Sequence, residues 1–377
     1  MKVMIVVTHL LGTGHLARAL TLARAYQSAG DEVSVVSGGM PAPVLDRGDV
    51  RLVQLPPLRS DGVDFTRLLD TDDAPASSDL LAKRQAGLLA ELHSFAPDIL
   101  ITELFPFGRR ILRDEFRVLL EAAKARPARP LICASIRDIL APPSKPKKVQ
   151  FADDTLSAFY DAVLVHSDPE LTPLEVSWPV TDTLRPLLHY TGFVSPPAAG
   201  PHPQAAGAGE IIVSAGGGDV GQHVYDAAVD AAAKIPHPLR LLIGGTPPPE
   251  RIAKLRARST QNVTIEAARP DFRQMLYHAA ASVSLCGYNT ALDILQAGTP
   301  AVFIPFDEGN EVEQGLRASA LAKRSGIAQL TRAELTPDSL CEALSQVIAA
   351  PLRDASAYGF SGAERTVTIT HNLRRTQ

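Results

Sequence analysis

The chain has 377 residues, a formal net charge of −4, and 45% hydrophobic against 21% charged residues. That length exceeds one ordinary core and suits two domains, and the composition is that of a globular protein. The acidic balance argues against nucleic acid as the main partner, because phosphate backbones are bound by clustered Lys and Arg. Basic residues gather only weakly, at Lys145, Lys147 and Lys148. Cys133, Cys286 and Cys341 are too few and too unpatterned for a disulfide framework or a zinc site.

The start, "MKVMIVVTHLLG", is apolar with one positive charge. No small-residue cleavage site follows it, and an amphipathic helix pattern does, so it is not read as a signal peptide. No apolar run reaches the ~18–20 residues of a membrane span. A cytoplasmic location is expected, with peripheral membrane contact left open.

Lys2 to Thr8 reads as a strand, and Arg18 to Ala29 as a helix closed by Gly30. "EVSVVSG" and "RLVQL" are strands, and Leu80 to Phe95 a helix. "DILITEL" is a strand, Arg109 to Ala125 a helix, and "PLICASIRD" and "DAVLVHSD" two more strands. Strands apolar throughout, alternating with helices, indicate a parallel sheet covered on both faces.

Ser195 to Gly209, "SPPAAGPHPQAAGAG", breaks the composition and reads as a linker, with its core at 196–209. The alternation then restarts. "EIIVSAGGG", "LRLLIGG", "NVTIEA", "ASVSLCG", "TPAVFIPF" and "GIAQL" are strands. Val220 to Ala233, Asp271 to Ala280, Asn289 to Ala297, Glu311 to Lys323 and Thr336 to Ile348 are helices. The expected domains are 1–195 and 210–377, with room for the last helix to pack back on the first. Two doubly wound Rossmann-like domains are expected to face a central cleft, since open α/β sheets bind ligands at their carboxyl ends.

Both halves open with a strand running into a glycine turn and a helix. The second turn, "VSAGGGDVG", places Gly216, Gly217 and Gly218 before a helix N-terminus, where backbone N–H groups and the dipole suit a diphosphate. It lacks the lysine of a P-loop, and the plainer reading is a tight turn. In "SLCGYNTALDILQAG", Asn289 or Thr290 is expected to cap a helix, and Asp293 to lie in about its first turn. There Asp293 either accepts two hydrogen bonds from a ribose diol or merely meets the helix dipole. "DEGNEVEQGLRA" offers polar acceptors for sugar hydroxyls, or a solvated helix start.

The first turn, "GTGHLAR", holds His15, an imidazole able to take a proton near neutral pH, or else only a hydrogen-bond donor. Glu103 and Asp138 each follow a strand and are further candidates for base or acceptor contact. Arg18, one turn on, suits a phosphate or a carboxylate. Phe105 and Phe107 are either core or a lipid contact. No His, Asp or Glu spacing suggests a metal, and no cofactor is expected.

"GTGHLAR", "SAGGGDVG", "CGYNTALDILQAGTPAVFIPF" and "EQGLRA" occur in an order that resembles GT-B nucleotide-sugar glycosyltransferases. The likeness is strongest to the lipid II-type (MurG-like) branch and the predicted glycosyltransferases grouped with it, whose N-domain segments "SIRDIL" and "YDAVLVHSDP" resemble. The resemblance implies an inverting, metal-free transfer from a nucleoside-diphosphate sugar, most simply UDP-linked, to a hydroxyl acceptor, lipid-linked or otherwise. Asp293 then takes the ribose, and Gln314 the donor sugar. Glu313 stands where that branch has a second glutamine. The glycines 216–218 take the diphosphate, and backbone near Ala268 and Arg269 the base. Gly12, Gly14, Arg18, Ser214, Gly287, Asn289 and Thr290 complete the donor set. The "GTGHLAR" form also resembles the nucleotide-sugar hydrolase of pseudaminic acid synthesis. A non-catalytic sugar-nucleotide-binding protein is the other alternative.

Overall fold

The computed structural model describes every residue except 44, 61–66, 217–219, 246, 309–310 and 355–357. They form two compact units, Met1–Pro196 with Gly359–Gln377, and Pro197–Tyr358.

The first unit runs β1 (Lys2–Val7), α1 (Gly14–Ser28), β2 (Glu32–Ser37), β3 (Arg51–Gln54), α2 (Ser78–Phe95), β4 (Ile99–Glu103), α3 (Arg113–Lys124), β5 (Leu131–Arg137), α4 (Pro146–Phe159), β6 (Ala162–His166) and β7 (Leu188–Tyr190). Its sheet has the order β3-β2-β1-β4-β5-β6-β7, parallel throughout. Successive residues of a strand face opposite sides, and β1 uses both. Val3, Ile5 and Val7 join one core, Met4 and Val6 the other. That is why β1 reads apolar without alternation.

The second unit runs β8 (Ile211–Ser214), α5 (Gln222–Ala231), β9 (Leu239–Ile243), α6 (Pro249–Arg258), β10 (Val263–Ala267), α7 (Phe272–Leu276), β11 (Ala281–Ser284), α8 (Tyr288–Ala297), β12 (Ala301–Phe303), α9 (Glu313–Leu321), β13 (Ile327–Gln329) and α10 (Pro337–Ala349). Its parallel sheet has the order β10-β9-β8-β11-β12-β13.

The chain then returns to the first unit as α11 (Gly362–Thr376). Ala363 and Val367 bury against the α1 core, Tyr26 Oη bonds Thr370 Oγ1 at 2.7 Å, and His371 Nε2 meets Asp31 at 2.8 Å. The 196–209 segment holds no strand or helix, yet most of it is tied to the second unit. His202 bonds Asp271 at 3.0 Å, Gly209 N–H donates to His278, and Gly207 sits at φ +87° where a Cβ would strike the Met275 carbonyl.

Three elements escape the pattern reading. The Lys145–Lys148 run is the start of α4, with Pro146 in its first turn, where a missing N–H costs nothing. β7 is only three residues, and α6 follows a proline-rich loop. The helix expected over Asp271 to Ala280 is the five-residue α7, because the chain turns at Tyr277–Ala279.

Candidate functional site

In the first sheet, β1 lies between β2 and β4. The connections leaving β1 and β4 therefore diverge, which opens a crevice at their carboxyl ends. The glycine turn of the first motif follows β1, and Glu103 ends β4. Gly12 turns the chain at φ +63°, and α1 begins at Gly14 with no side-chain cap and no acidic residue in its first turn. Its dipole leaves that end positive.

His15 Nδ1 lies 3.0 Å from Glu103 Oε1 and 3.2 Å from Arg18 Nη2, and Arg18 Nη2 also donates to Glu103 Oε1. A neutral imidazole nitrogen is either donor or acceptor. The two contacts ask for opposite tautomers, because Arg18 can only donate and the Glu103 carboxylate can only accept. Arg18 is already satisfied by the same carboxylate and the Glu103 contact is the shorter, so the proton sits on Nδ1 and is given to Glu103. That leaves the Nε2 lone pair for chemistry. The His15 side chain is 12% exposed, against 2% for Glu103.

Burial, opposed by the Glu103 bond and reinforced by the charges of Arg109, Arg137 and Arg18, pulls the His15 pKa down to about 3. The resting imidazole is neutral. Burial would raise Glu103, but the Arg18 charge and hydrogen bonds from His15 and Ser135 hold it well below the usual carboxylate range. Glu103 is therefore a fixed anion that orients His15, not a base. Arg18, 4% exposed, is spent on that carboxylate and not on a phosphate. Asp138 is 1% exposed and accepts from its own neighbour, Ile139 N–H, at 2.7 Å. That bond braces its loop. Phe105 and Phe107 are buried: Phe105 stacks on Phe116 at 4.4 Å, and Phe107 packs on Trp178 at 5.2 Å. Neither is available to a lipid.

Ser135, His166 and Thr191 complete the array. Ser135 Oγ donates to Glu103 Oε2 at 2.6 Å, His166 Nε2 lies 2.9 Å from that hydroxyl, and His166 Nδ1 lies 2.8 Å from Thr191 Oγ1. His166 ends the otherwise apolar β6, and Ser135 lies inside β5, so a polar residue within an apolar run is the available signal.

In the second sheet, β8 lies between β9 and β11, so the same crevice geometry recurs. Gly216, at φ +80°, follows β8, and Ser214 Oγ accepts its N–H at 3.2 Å. Gly217 and Gly218 lie outside the described residues. The cap of α8 is Gly287 rather than Asn289 or Thr290, because Gly287 already has the extended backbone of a cap and Tyr288 is the first helical residue. Asn289 is exposed, and Thr290 is half-buried. Starting there, α8 places Asp293 in its second turn, not its first. Asp293 Oδ1 accepts from Arg273 Nε at 2.8 Å, and Arg273 also reaches Gln296 Oε1 and the Pro197 carbonyl. Burial pushes Asp293 up to about 6, against the pull of Arg273.

Ala268 N–H is already spent on Ile243 O at 2.8 Å, so only its carbonyl can read a base. The Arg269 side chain is held by Asp271. Gln314 Oε1 accepts from Phe306 N–H at 3.2 Å, and Glu313 begins α9. Neither α5 nor α8 carries a side-chain cap or an acid in its first turn. A recess of about 380 Å³ beside α5 is lined by Gln222, His223, Arg251, Phe306, Glu308 and Arg332, among others. Burial and Arg332 lower the His223 pKa against the pull of Asp307, Glu308 and Asp226, and its Nε2 is enclosed with no partner among the described residues. A larger recess, about 470 Å³, lies at the start of α4 and shares no residue with either crevice.

Among the described residues no three His, Cys, Asp or Glu side chains converge as metal ligands, and no helix is long and apolar enough to cross a membrane.

Residues 219–365 match the glycosyltransferase family 28 C-terminal domain. The UDP-N-acetylglucosamine–N-acetylmuramyl-(pentapeptide) pyrophosphoryl-undecaprenol N-acetylglucosamine transferase of Acidiphilium cryptum (strain JF-5) is 32% identical over 166 residues, 42% of this chain and 44% of that protein. The enzyme of the same name from Rhizobium meliloti (strain 1021) is 28% identical over 177 residues, 45% and 46% of the two chains. The matched region spans less than half the length of these curated relatives. The crystal structure of Acinetobacter baumannii MurG superposes with a TM-score of 0.65 at 16% identity, covering 99% of this chain and 100% of that one. Phytolacca americana UGT2, complexed with UDP-2-fluoro-glucose and pterostilbene, gives 0.60 at 15% identity, covering 100% and 94%. The expected GT-B fold is thus the observed one.

Proposed function

We propose that this chain, whose residues 219–365 form a glycosyltransferase family 28 C-terminal domain within a GT-B fold, transfers a sugar from a UDP-linked donor to a hydroxyl acceptor, with inversion and without a metal ion. The observation that carries the reading is the Arg18–Glu103–His15 array at the carboxyl edge of the first sheet. It supplies a neutral imidazole with one nitrogen anchored and the other free to accept a proton.

In this reading the acceptor oxygen attacks the anomeric carbon as the bond to the diphosphate oxygen breaks. The leaving diphosphate keeps the electron pair, and His15 Nε2, a weak base at rest that the negative charge of the bound donor strengthens, takes the hydroxyl proton. The developing charge on the diphosphate falls to backbone N–H groups and helix starts of the second unit, around Gly216 and α8, with His223 as a further donor. Asp293 holds the ribose, the Ala268 carbonyl and Arg269 N–H read the base, and Gln314 meets the sugar. The relatives' names favour a lipid-linked diphosphate acceptor.

The test is a thermal-shift panel of UDP, GDP, CDP, dTDP and their sugars, followed by product analysis. A ligand at 100 times its Kd stabilises by about 2.7 kcal/mol, which is readily seen. The reading expects UDP to shift the melt, the product to have the opposite anomeric configuration, and His15→Ala to lower kcat by roughly 10²–10⁴. A retained configuration, or fast stoichiometric sugar release with donor alone, would sink it.

A further inference from the structure

We propose that Ser135 and His166, packed on Thr191, form a one-directional hydrogen-bond chain that fixes Glu103 and, through it, the Nδ1–H tautomer of His15. His166 is thus a positioning residue for the base, and the inference rests on the transfer reading only for its effect on turnover.

The Glu103 charge sets the proton order as far as His166. Glu103 is an anion and can only accept, so the Ser135 hydroxyl, 2.6 Å away, gives its proton to Oε2. The Ser135 oxygen is then left as an acceptor. His166, at 2.9 Å, must carry its proton on Nε2 to meet it. Its Nδ1 then holds a lone pair facing the Thr191 hydroxyl at 2.8 Å, whose single proton also has the Gly192 carbonyl at 2.8 Å as acceptor. From His166 inward the protons point toward Glu103, and linked bonds polarise one another in a low-dielectric interior.

Burial makes this order costly to break. Ser135, His166 and Thr191 are fully buried, and Glu103 is 2% exposed. The sheet sets the spacing: Glu103 on β4 is the register partner of Ser135 on β5, and β6 and β7 bring His166 and Thr191 alongside. Arg18 from α1 and the Glu103 carboxylate are the charges that act on His166, and burial keeps its ring neutral. A ring that stays neutral cannot reverse the chain by taking a second proton. The anchored end therefore transmits one orientation to His15, as the buried Asp of a Ser-His-Asp triad sets the tautomer of its imidazole.

The experiment is nitrogen-15 NMR of the histidine rings in the full chain without ligand, on wild type, Ser135→Ala, His166→Leu and His166→Gln. The expected wild-type spectrum has His166 protonated on Nε2 and His15 on Nδ1, unchanged from about pH 6 to about pH 9. Ser135→Ala should leave His15 as a mixture of tautomers. A His166 proton on Nδ1, or a His15 tautomer unaltered in Ser135→Ala, overturns the chain. Turnover, read as UDP release from the best donor of the panel, should fall about tenfold in His166→Leu with the donor KM within about twofold. His166→Gln, which keeps a donor toward Ser135, should recover most of it. Equal turnover and an equal pH profile in His166→Leu also overturn the chain. If wild type releases no UDP from any donor, the transfer reading falls, and the ring spectra still decide the chain.

Discussion

The two sheets present the same crevice, between β1 and β4 in the first unit and between β8 and β11 in the second, but fill it differently. The first is lined by side chains that are buried, bonded to one another and fixed in charge. The second is lined by glycines, uncapped helix starts and a half-buried carboxylate whose partner is an arginine. A proton acceptor must hold one tautomer before substrate arrives, which requires a rigid, dry surround. A diphosphate is bound by many N–H groups of backbone, which requires bare loops and no competing acid. In the proposed reading the contrast separates a crevice for chemistry from one for binding.

The largest test of the first crevice is Arg18→Met. Removing one partner of a buried ion pair leaves an uncompensated charge and costs roughly 3–5 kcal/mol. Trp178 is the sole tryptophan and is buried in the first unit, so its fluorescence during urea unfolding reports that unit. A loss under about 1 kcal/mol would mean that Glu103 is held by its other partners alone.

Acid should act on the same crevice. His15 and His166 have folded pKa values near 3, below the 6.5 of an unfolded histidine. Between those values the unfolded chain binds protons and the folded unit does not. Stability is therefore full above about pH 6.5 and falls as pH drops toward 3. His166→Gln removes one of the two groups and should flatten the Trp178 midpoint across that window. An equally steep slope would place the acid sensitivity elsewhere.

What was legible in sequence divides along the same line. Both sheets could be read, because strands buried on two faces show as apolar runs, and both glycine turns stand beside them. His15, Glu103 and Asp293 could be named from position. Ser135 and His166 could not, since their importance depends on strand register, which places Ser135 opposite Glu103 across 32 residues of chain. Asp138 looked equivalent to Glu103 in sequence, each just past a strand. Both are buried, and the partners set them apart: Glu103 meets Arg18, His15 and Ser135, while Asp138 accepts from the Ile139 N–H. The cap of α8 was misplaced because Gly287 acts through backbone conformation rather than a side-chain oxygen.

In the second crevice Asp293→Ala should weaken UDP binding by about 10- to 100-fold, the worth of hydrogen bonds to a charged group. Calorimetry with an unchanged Kd would remove Asp293 from the ribose. The pKa of Asp293, about 6, lies above the 3.8 of a free aspartate. Wild-type affinity should accordingly decline as pH falls through about 6 and the carboxylate gains a proton. Asp293→Asn should abolish that decline.

The smallest expected effect is the most informative about how the second crevice opens. Arg273 lowers the Asp293 pKa by charge and by its Nε bond, while holding one carboxylate oxygen that a ribose would use. These two roles predict opposite signs for Arg273→Ala. If Arg273 chiefly keeps Asp293 ionised, its loss raises the carboxylate pKa toward neutrality. UDP binding then weakens a few-fold near pH 7 and recovers about a unit higher, because the anion is restored there. If Arg273 chiefly competes with the ribose, its loss tightens binding at every pH. Burial is the dominant influence on Asp293 and remains after the substitution, so the first outcome is expected: a Kd for UDP that rises near neutral pH and converges on wild type in mild alkali.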